Sequence, residues 1–166
     1  LNVAFYVAKS MEALAGLAAE MGMPGAFGAS ASATMVLREQ HIRFLREARP
    51  GALLSMTGGV VDITETGARL LFLMRHAGGE LAASFNTLVE HVTAREMRAF
   101  PWPERVRARA EALHVEIPSE AAARSISLEP VVTQASLARA LDLGMVCTGR
   151  RVIGAGECDA QGRMRA

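Results

Sequence analysis

Residues 2–21 read NVAFYVAKSMEALAGLAAEM, and the fold of the whole chain turns on how that stretch behaves. Val3, Val7, Met11, Leu14, Ala18 and Met21 recur at spacings of three and four, which is one apolar stripe of a helix. The other side carries Phe5, Ala8, Ala13, Gly16 and Ala19, and charge enters only at Lys9, Glu12 and Glu20. A helix that is apolar nearly all round is expected to be buried. Asn2 is a preferred cap at its start. Gly22, Pro24 and Gly25 stop it, since glycine takes the left-handed conformation just past a helix end and proline cannot resume the helix. At about 1.5 Å per residue the helix spans roughly 30 Å, so a sizeable layer has to cover it.

The chain that follows supplies that layer. Ser30–Glu47 is β-rich, with an alternation in its second half that is imperfect. Arg49-Pro50-Gly51 is a turn, and Ala52–Thr64 reads as the next strand. Glu65-Thr66-Gly67 turns the chain into Ala68–His76. Ala77-Gly78-Gly79-Glu80 is a glycine-requiring hairpin turn into Leu81–Thr93. Successive hairpins make an antiparallel meander, and one helix against such a sheet is an α+β architecture. After Pro101-Trp102-Pro103 come a short helix over Pro103–Leu113, a linker over His114–Pro130, a second short helix over Gln134–Leu143 ending at Gly144, and a strand over Arg151–Glu157.

Composition narrows the function. The chain has 166 residues, 51% of them hydrophobic, enough for one full core. Its 18 basic and 17 acidic side chains leave a net charge of +1, which gives nucleic acid no basic surface to bind. The longest uncharged run, residues 21–37, contains Pro24 and several glycines, so no membrane span is expected. Cys147 and Cys158 match no metal spacing and read as reduced thiols of a cytoplasmic protein. His41, His76, His91 and His114 fall on separate elements without ligand spacing; each is expected to be a surface or half-buried histidine, and no metal site follows. The methionines are core fillers.

A long apolar helix followed by an antiparallel meander resembles the hotdog fold. The opening residues resemble the acyl-CoA thioesterase branch typified by 4-hydroxybenzoyl-CoA thioesterase, whose pattern is Asp-x-x-Gly-His-x-Asn, then a tyrosine four residues on and acidic residues further along the helix. Asn2 and Tyr6 match that asparagine and tyrosine, and Glu12 is a looser match to the acid. The Arg49-Pro50-Gly51 turn resembles the family's turn between its second and third strands. The resemblance covers residues 1–95. It implies an antiparallel sheet wrapped around a central helix and hydrolysis of acyl-CoA without a cofactor. It also implies a homo-oligomer, a dimer or dimer of dimers, built by edge-to-edge pairing of sheets. The family's aspartate and its first strand would precede Leu1. Asp159-Ala160-Gln161-Gly162-Arg163 has a degenerate version of the same skeleton. The expected organisation is therefore a hotdog domain over 1–114 without its first strand, then a linker and the start of a second, degenerate repeat over 115–166.

The resemblance also assigns roles. Amides at the helix start, around Asn2, Val3 and Phe5, would face the thioester oxygen, where unpaired N–H groups and the positive end of the helix dipole favour a developing oxyanion. A carboxylate would act as base or nucleophile. The candidates inside the chain are Glu12 and Asp159, beside Asn2 as a site residue or a plain cap. Glu12 lies about 15 Å along the axis from Asn2, which suits a structural or substrate-end role better. Tyr6, Arg38 and Arg43 are candidate substrate contacts. Tyr6 is also an ordinary core tyrosine, and the arginines are also solvated strand residues. Two other readings stay open: a hotdog dehydratase or hydratase, for which the helix offers no histidine, and a module that binds acyl-CoA or dimerises without catalysis.

Overall fold

The computed structural model describes residues 3–124 and 136–158. The chain divides into two compact units, 1–124 and 125–166. The first begins with α1 (Val3–Glu20) and continues through β1 (Ala33–Phe44), β2 (Leu54–Ile63), β3 (Gly67–His76) and β4 (Leu81–Thr93) to α2 (Glu104–Ala112). The four strands form one antiparallel sheet in the order β1-β4-β3-β2.

The helix ends where its glycine requires. Gly22 has φ +91°, and Met23 N–H reaches back to the Ala18 carbonyl at 2.8 Å. Only one side of α1 is buried. Tyr6, Ser10, Leu14, Leu17 and Ala18 face the sheet, with Met21 just beyond the end. Val3, Ala4, Phe5, Ala8, Glu12, Ala15 and Gly16 are exposed. The buried stripe is thus turned from the one that the spacing of Val3, Val7 and Met11 suggests. It takes in two hydroxyl side chains because the sheet supplies partners for them. Ser10 Oγ donates to the Val7 carbonyl at 2.8 Å. Gln40 Nε2 on β1 donates to Ser10 Oγ and to Thr87 Oγ1 on β4, at 3.2 and 3.1 Å. Buried polar groups are tolerated when they are hydrogen-bonded in this way.

The register places Phe72 opposite Phe85, Met74 opposite Ala83 and Leu70 opposite Thr87, all on the face toward α1. Each fully buried Leu or Phe there contributes on the order of 1.5–3 kcal/mol. Gly58 makes this packing possible, because a Cβ there would stand 2.6 Å from the Phe72 ring. Of three register shifts in the sheet, two swap faces along β1 and β2. One residue of β1, Arg38, is passed over between Leu37 and Glu39, and one of β2, Val61, between Val60 and Asp62. An extra residue moves every later side chain to the other face. Met35 and Ile42 consequently pack in the same core despite their odd and even numbers.

The described residues after α2 are packed on the sheet, unlike the linker that their composition suggests. Val60 N–H bonds the Leu113 carbonyl at 3.0 Å, and Val115 N–H bonds the Val60 carbonyl at 2.9 Å, so the segment pairs briefly along β2. It then crosses the second face of the sheet, where Ala121 is buried with Leu71 and Leu81, and Val115 and Ile117 pack alongside. Gly59 permits the approach, since a Cβ there would lie 2.5 Å from Val115.

In the second unit, α3 (Leu137–Asp142) starts at Ser136, whose hydroxyl accepts the Arg139 N–H at 3.1 Å. It ends at Gly144 with φ +76°. Arg151–Glu157 is not a strand: residues 151–154 have no regular structure, and Ala155–Glu157 form one 3₁₀ turn. Cys147 is an exposed free thiol. No described helix is long and apolar enough to cross a membrane.

Candidate active site

The first half of α1 and the chain entering β2 enclose two adjoining hollows. One, of about 380 Å³, is lined by Phe5, Tyr6, Glu47, Arg49, Pro50 and Gly51, among others. The other, of about 540 Å³, is lined by Lys9, Glu12, Ala13, Met56 and Met74. Both include Phe5, Ala52 and Leu54, so together they make one groove along the helix with Phe5 at its middle.

Tyr6 anchors the first hollow. Its ring is 3% exposed and packs edge-on against Phe5 and Phe44, with centroids 5.6 and 5.1 Å away. Its hydroxyl accepts the Ala48 N–H at 3.3 Å and so ties the helix to the loop after β1. That loop turns at Gly51, φ +84°. In the second hollow, the Lys9 ammonium lies 2.8 Å from the Glu12 carboxylate and 6.0 Å from the Phe5 ring centroid. Both charged side chains are largely solvated, and such a pair adds little to stability.

The groove is chemically graded. At one end lies the first turn of α1, whose leading amides have no intrahelical acceptor and carry the positive end of the dipole. A carbonyl placed there would be polarised as negative charge develops on its oxygen. At the other end the walls are apolar, with two flexible thioether side chains. Glu12 sits there, nine residues beyond Val3 and roughly 13 Å along the axis. One carbonyl cannot touch both.

Of the candidate residues, Tyr6 and Glu12 line the groove, whereas Val3 is the exposed first residue of α1 and is not among its lining. Arg38 and Arg43 do not line the groove. Arg38 Nε donates to Glu90 at 2.9 Å, and Arg43 donates to the carbonyls of Glu120, at 3.0 Å, and Ala122. Asn2 and Asp159 lie outside the described residues, as do Arg163 and the rest of the degenerate tail motif. Glu47 is a carboxylate in the same hollow as Tyr6 that the reading of the sequence does not single out. Its position two residues before the Arg49-Pro50-Gly51 turn is the signal that could have found it.

The fold is shared with solved structures. A Staphylococcus aureus protein solved in complex with CoA superposes with a TM-score of 0.61 at 13% identity, over 82% of this chain and 83% of its own. A Thermus thermophilus thioesterase complexed with coenzyme A and zinc gives 0.54 at 18% identity, over 68% and 79%. A DHNA-CoA thioesterase from Staphylococcus aureus gives 0.57 at 11% identity, over 65% and 76%. At these identities the likeness is one of fold, the α+β hotdog arrangement of helix and antiparallel sheet. No curated protein matches the sequence. The thioesterase-like superfamily model matches residues 1–110, which take in α1, the whole sheet and most of α2. On that match, the chain belongs to the thioesterase-like superfamily, and its function is of thioesterase type.

Proposed function

We propose that this chain is an acyl-CoA thioesterase, which hydrolyses a thioester to a carboxylic acid and free CoA. The observation that supports it best is the graded groove along α1, with polarising amides at one end and an apolar channel past Phe5 at the other. In this reading the thioester carbonyl lies at the amides of the first turn, next to Val3 and to the position that Asn2 precedes. Tyr6 holds the loop that closes that end. The acyl group runs toward Met56 and Met74, and Glu12 stands at its far end as a substrate-end residue.

The reaction also needs a carboxylate near the carbonyl, to activate water or attack directly. Glu47 is the described acid that shares the hollow with Tyr6, and Asp159 is the alternative from the tail. In the same reading the protein is cytoplasmic and a homo-oligomer; among the described residues β1 is an edge strand, a row that a second sheet would complete.

Release of free thiol from short, long, aromatic and cationic acyl-CoA thioesters tests the proposal. Turnover well above the rate without protein is expected. Glu47→Gln should lower kcat by about a hundredfold or more if Glu47 is the base. Glu12→Gln should alter KM and leave kcat within a few-fold. A folded chain that binds acyl-CoA but releases no thiol would sink the enzyme reading and leave a binding module.

A further inference from the structure

A second cleft, of about 500 Å³, lies at the opposite end of α1 and belongs to none of the chemistry above. Its walls are the loop after the helix (Gly22–Ala26), Ser30 and Ser32 ahead of β1, and Pro103, Arg105 and Val106 from the first turn of α2. Its floor includes His91 of β4, which is only 1% exposed.

His91 is held as a reporting group, not as filler. Its ring stacks on Trp102 with centroids 4.5 Å apart and planes at 16°, and it touches Phe100 at 4.0 Å. Nδ1 lies 3.0 Å from the Phe100 carbonyl oxygen. A carbonyl can only accept, so Nδ1 carries the hydrogen, and in the neutral ring Nε2 presents a lone pair. With Nδ1 engaged by the Phe100 carbonyl, Nε2 is the ring nitrogen left for the cleft that His91 lines. A nearly buried imidazole with a fixed tautomer and an acceptor left for the cleft calls for a ligand that brings a hydrogen-bond donor.

The wall beside it calls for negative charge. The N-cap of α2 is Pro103, which offers no side-chain hydrogen bond to the helix. The Val106 and Arg107 amides both turn back to the Pro103 carbonyl, whereas those of Glu104 and Arg105 have no intrahelical acceptor. These amides, the dipole of a nine-residue helix and the Arg105 guanidinium form an electropositive rim, offset in part by the exposed Glu104 carboxylate. Ser30 and Ser32 add hydroxyls that can donate or accept.

A ligand that both donates a hydrogen bond and carries negative charge is a protonated oxyanion. We propose that this cleft binds inorganic phosphate or a phosphate monoester in its singly protonated form. The P–OH donates to His91 Nε2, and the charged oxygens take Arg105 and the first-turn amides of α2. Sulfate, which has the same shape but no proton near neutral pH, lacks the donor.

The test uses the full chain labelled with ¹⁵N at histidine. The Nε2 resonance of His91 is assigned by elimination with His41→Gln, His76→Gln and His114→Gln. It is then followed during titration at pH 6.5 with inorganic phosphate, glycerol 3-phosphate and sulfate at matched ionic strength. A saturable shift with phosphate and none with sulfate is expected. Tighter binding of glycerol 3-phosphate would assign the site to an esterified ligand, and tighter binding of phosphate to the free ion. Arg105→Ala, at an exposed position, should weaken binding about tenfold with the melting temperature unchanged. The absence of a saturable shift, an equal response to sulfate, or an affinity unmoved by Arg105→Ala would each overturn the proposal.

Discussion

Single atoms decide several positions in this chain. Gly58 and Gly16 show the range. A methyl group at Gly58 meets the ring of Phe72 at 2.6 Å, and Phe72 is 1% exposed and cannot move aside. A methyl group at Gly16, within α1, meets nothing within 4 Å. Gly58→Ala should therefore cost about 1–3 kcal/mol through overpacking, whereas Gly16→Ala should add about 0.5–1 kcal/mol through helix propensity. Chemical denaturation of the two variants measures both, and a neutral Gly58→Ala would mean that the strand yields. At this scale the sequence was partly legible. Glycine at positions 22, 51, 79 and 144 marks turns, and each has a positive φ. The environment of His91 was not legible. The three aromatic rings come together because Phe100 N–H bonds the His91 carbonyl and Trp102 Nε1 donates to the Gly67 carbonyl at 3.1 Å, and no spacing in the sequence encodes that closure.

Elements owe their placement to partners distant in sequence, and this explains where prediction from pattern stops. The strands were legible almost to their ends because their turns are local. The imperfect alternation in β1 was a true signal, produced by the extra residue at Arg38. The buried side of α1 was not legible, because an all-apolar helix offers two stripes of similar quality. The choice depends on Gln40 and Ala48 meeting Ser10 and Tyr6. The stretch after α2 was missed for a related reason. It has no periodicity of its own, and what holds it is the edge of β2 together with the space left by Gly59. Val115→Pro removes the N–H that bonds the Val60 carbonyl. It should cost about 3 kcal/mol and raise the exchange rate of the Val60 amide, as measured by hydrogen exchange. Unchanged protection at Val60 would show that the pairing contributes nothing there.

At the scale of the molecule, both hydrophobic clusters lie between Tyr6 and Ala121, inside the first compact unit. The second unit exposes Leu137, Leu141, Met145, Val146 and Val152. A chain ending at Arg124 should thus unfold cooperatively with the near-ultraviolet signature of Trp102 and a melting temperature within a few degrees of the full chain's. Loss of cooperativity would show that the two units stabilise one another. The order of the strands has a further consequence, for synthesis. β2, β3 and β4 pair with their neighbours in the chain, but β1 pairs with β4, and the buried side of α1 rests on Phe72 and Phe85. During synthesis α1 and β1 leave the ribosome before β3 and β4, the strands that cover them. The apolar helix thus waits for its cover until β4 has been made, and a nascent-chain chaperone would have most to protect in that interval.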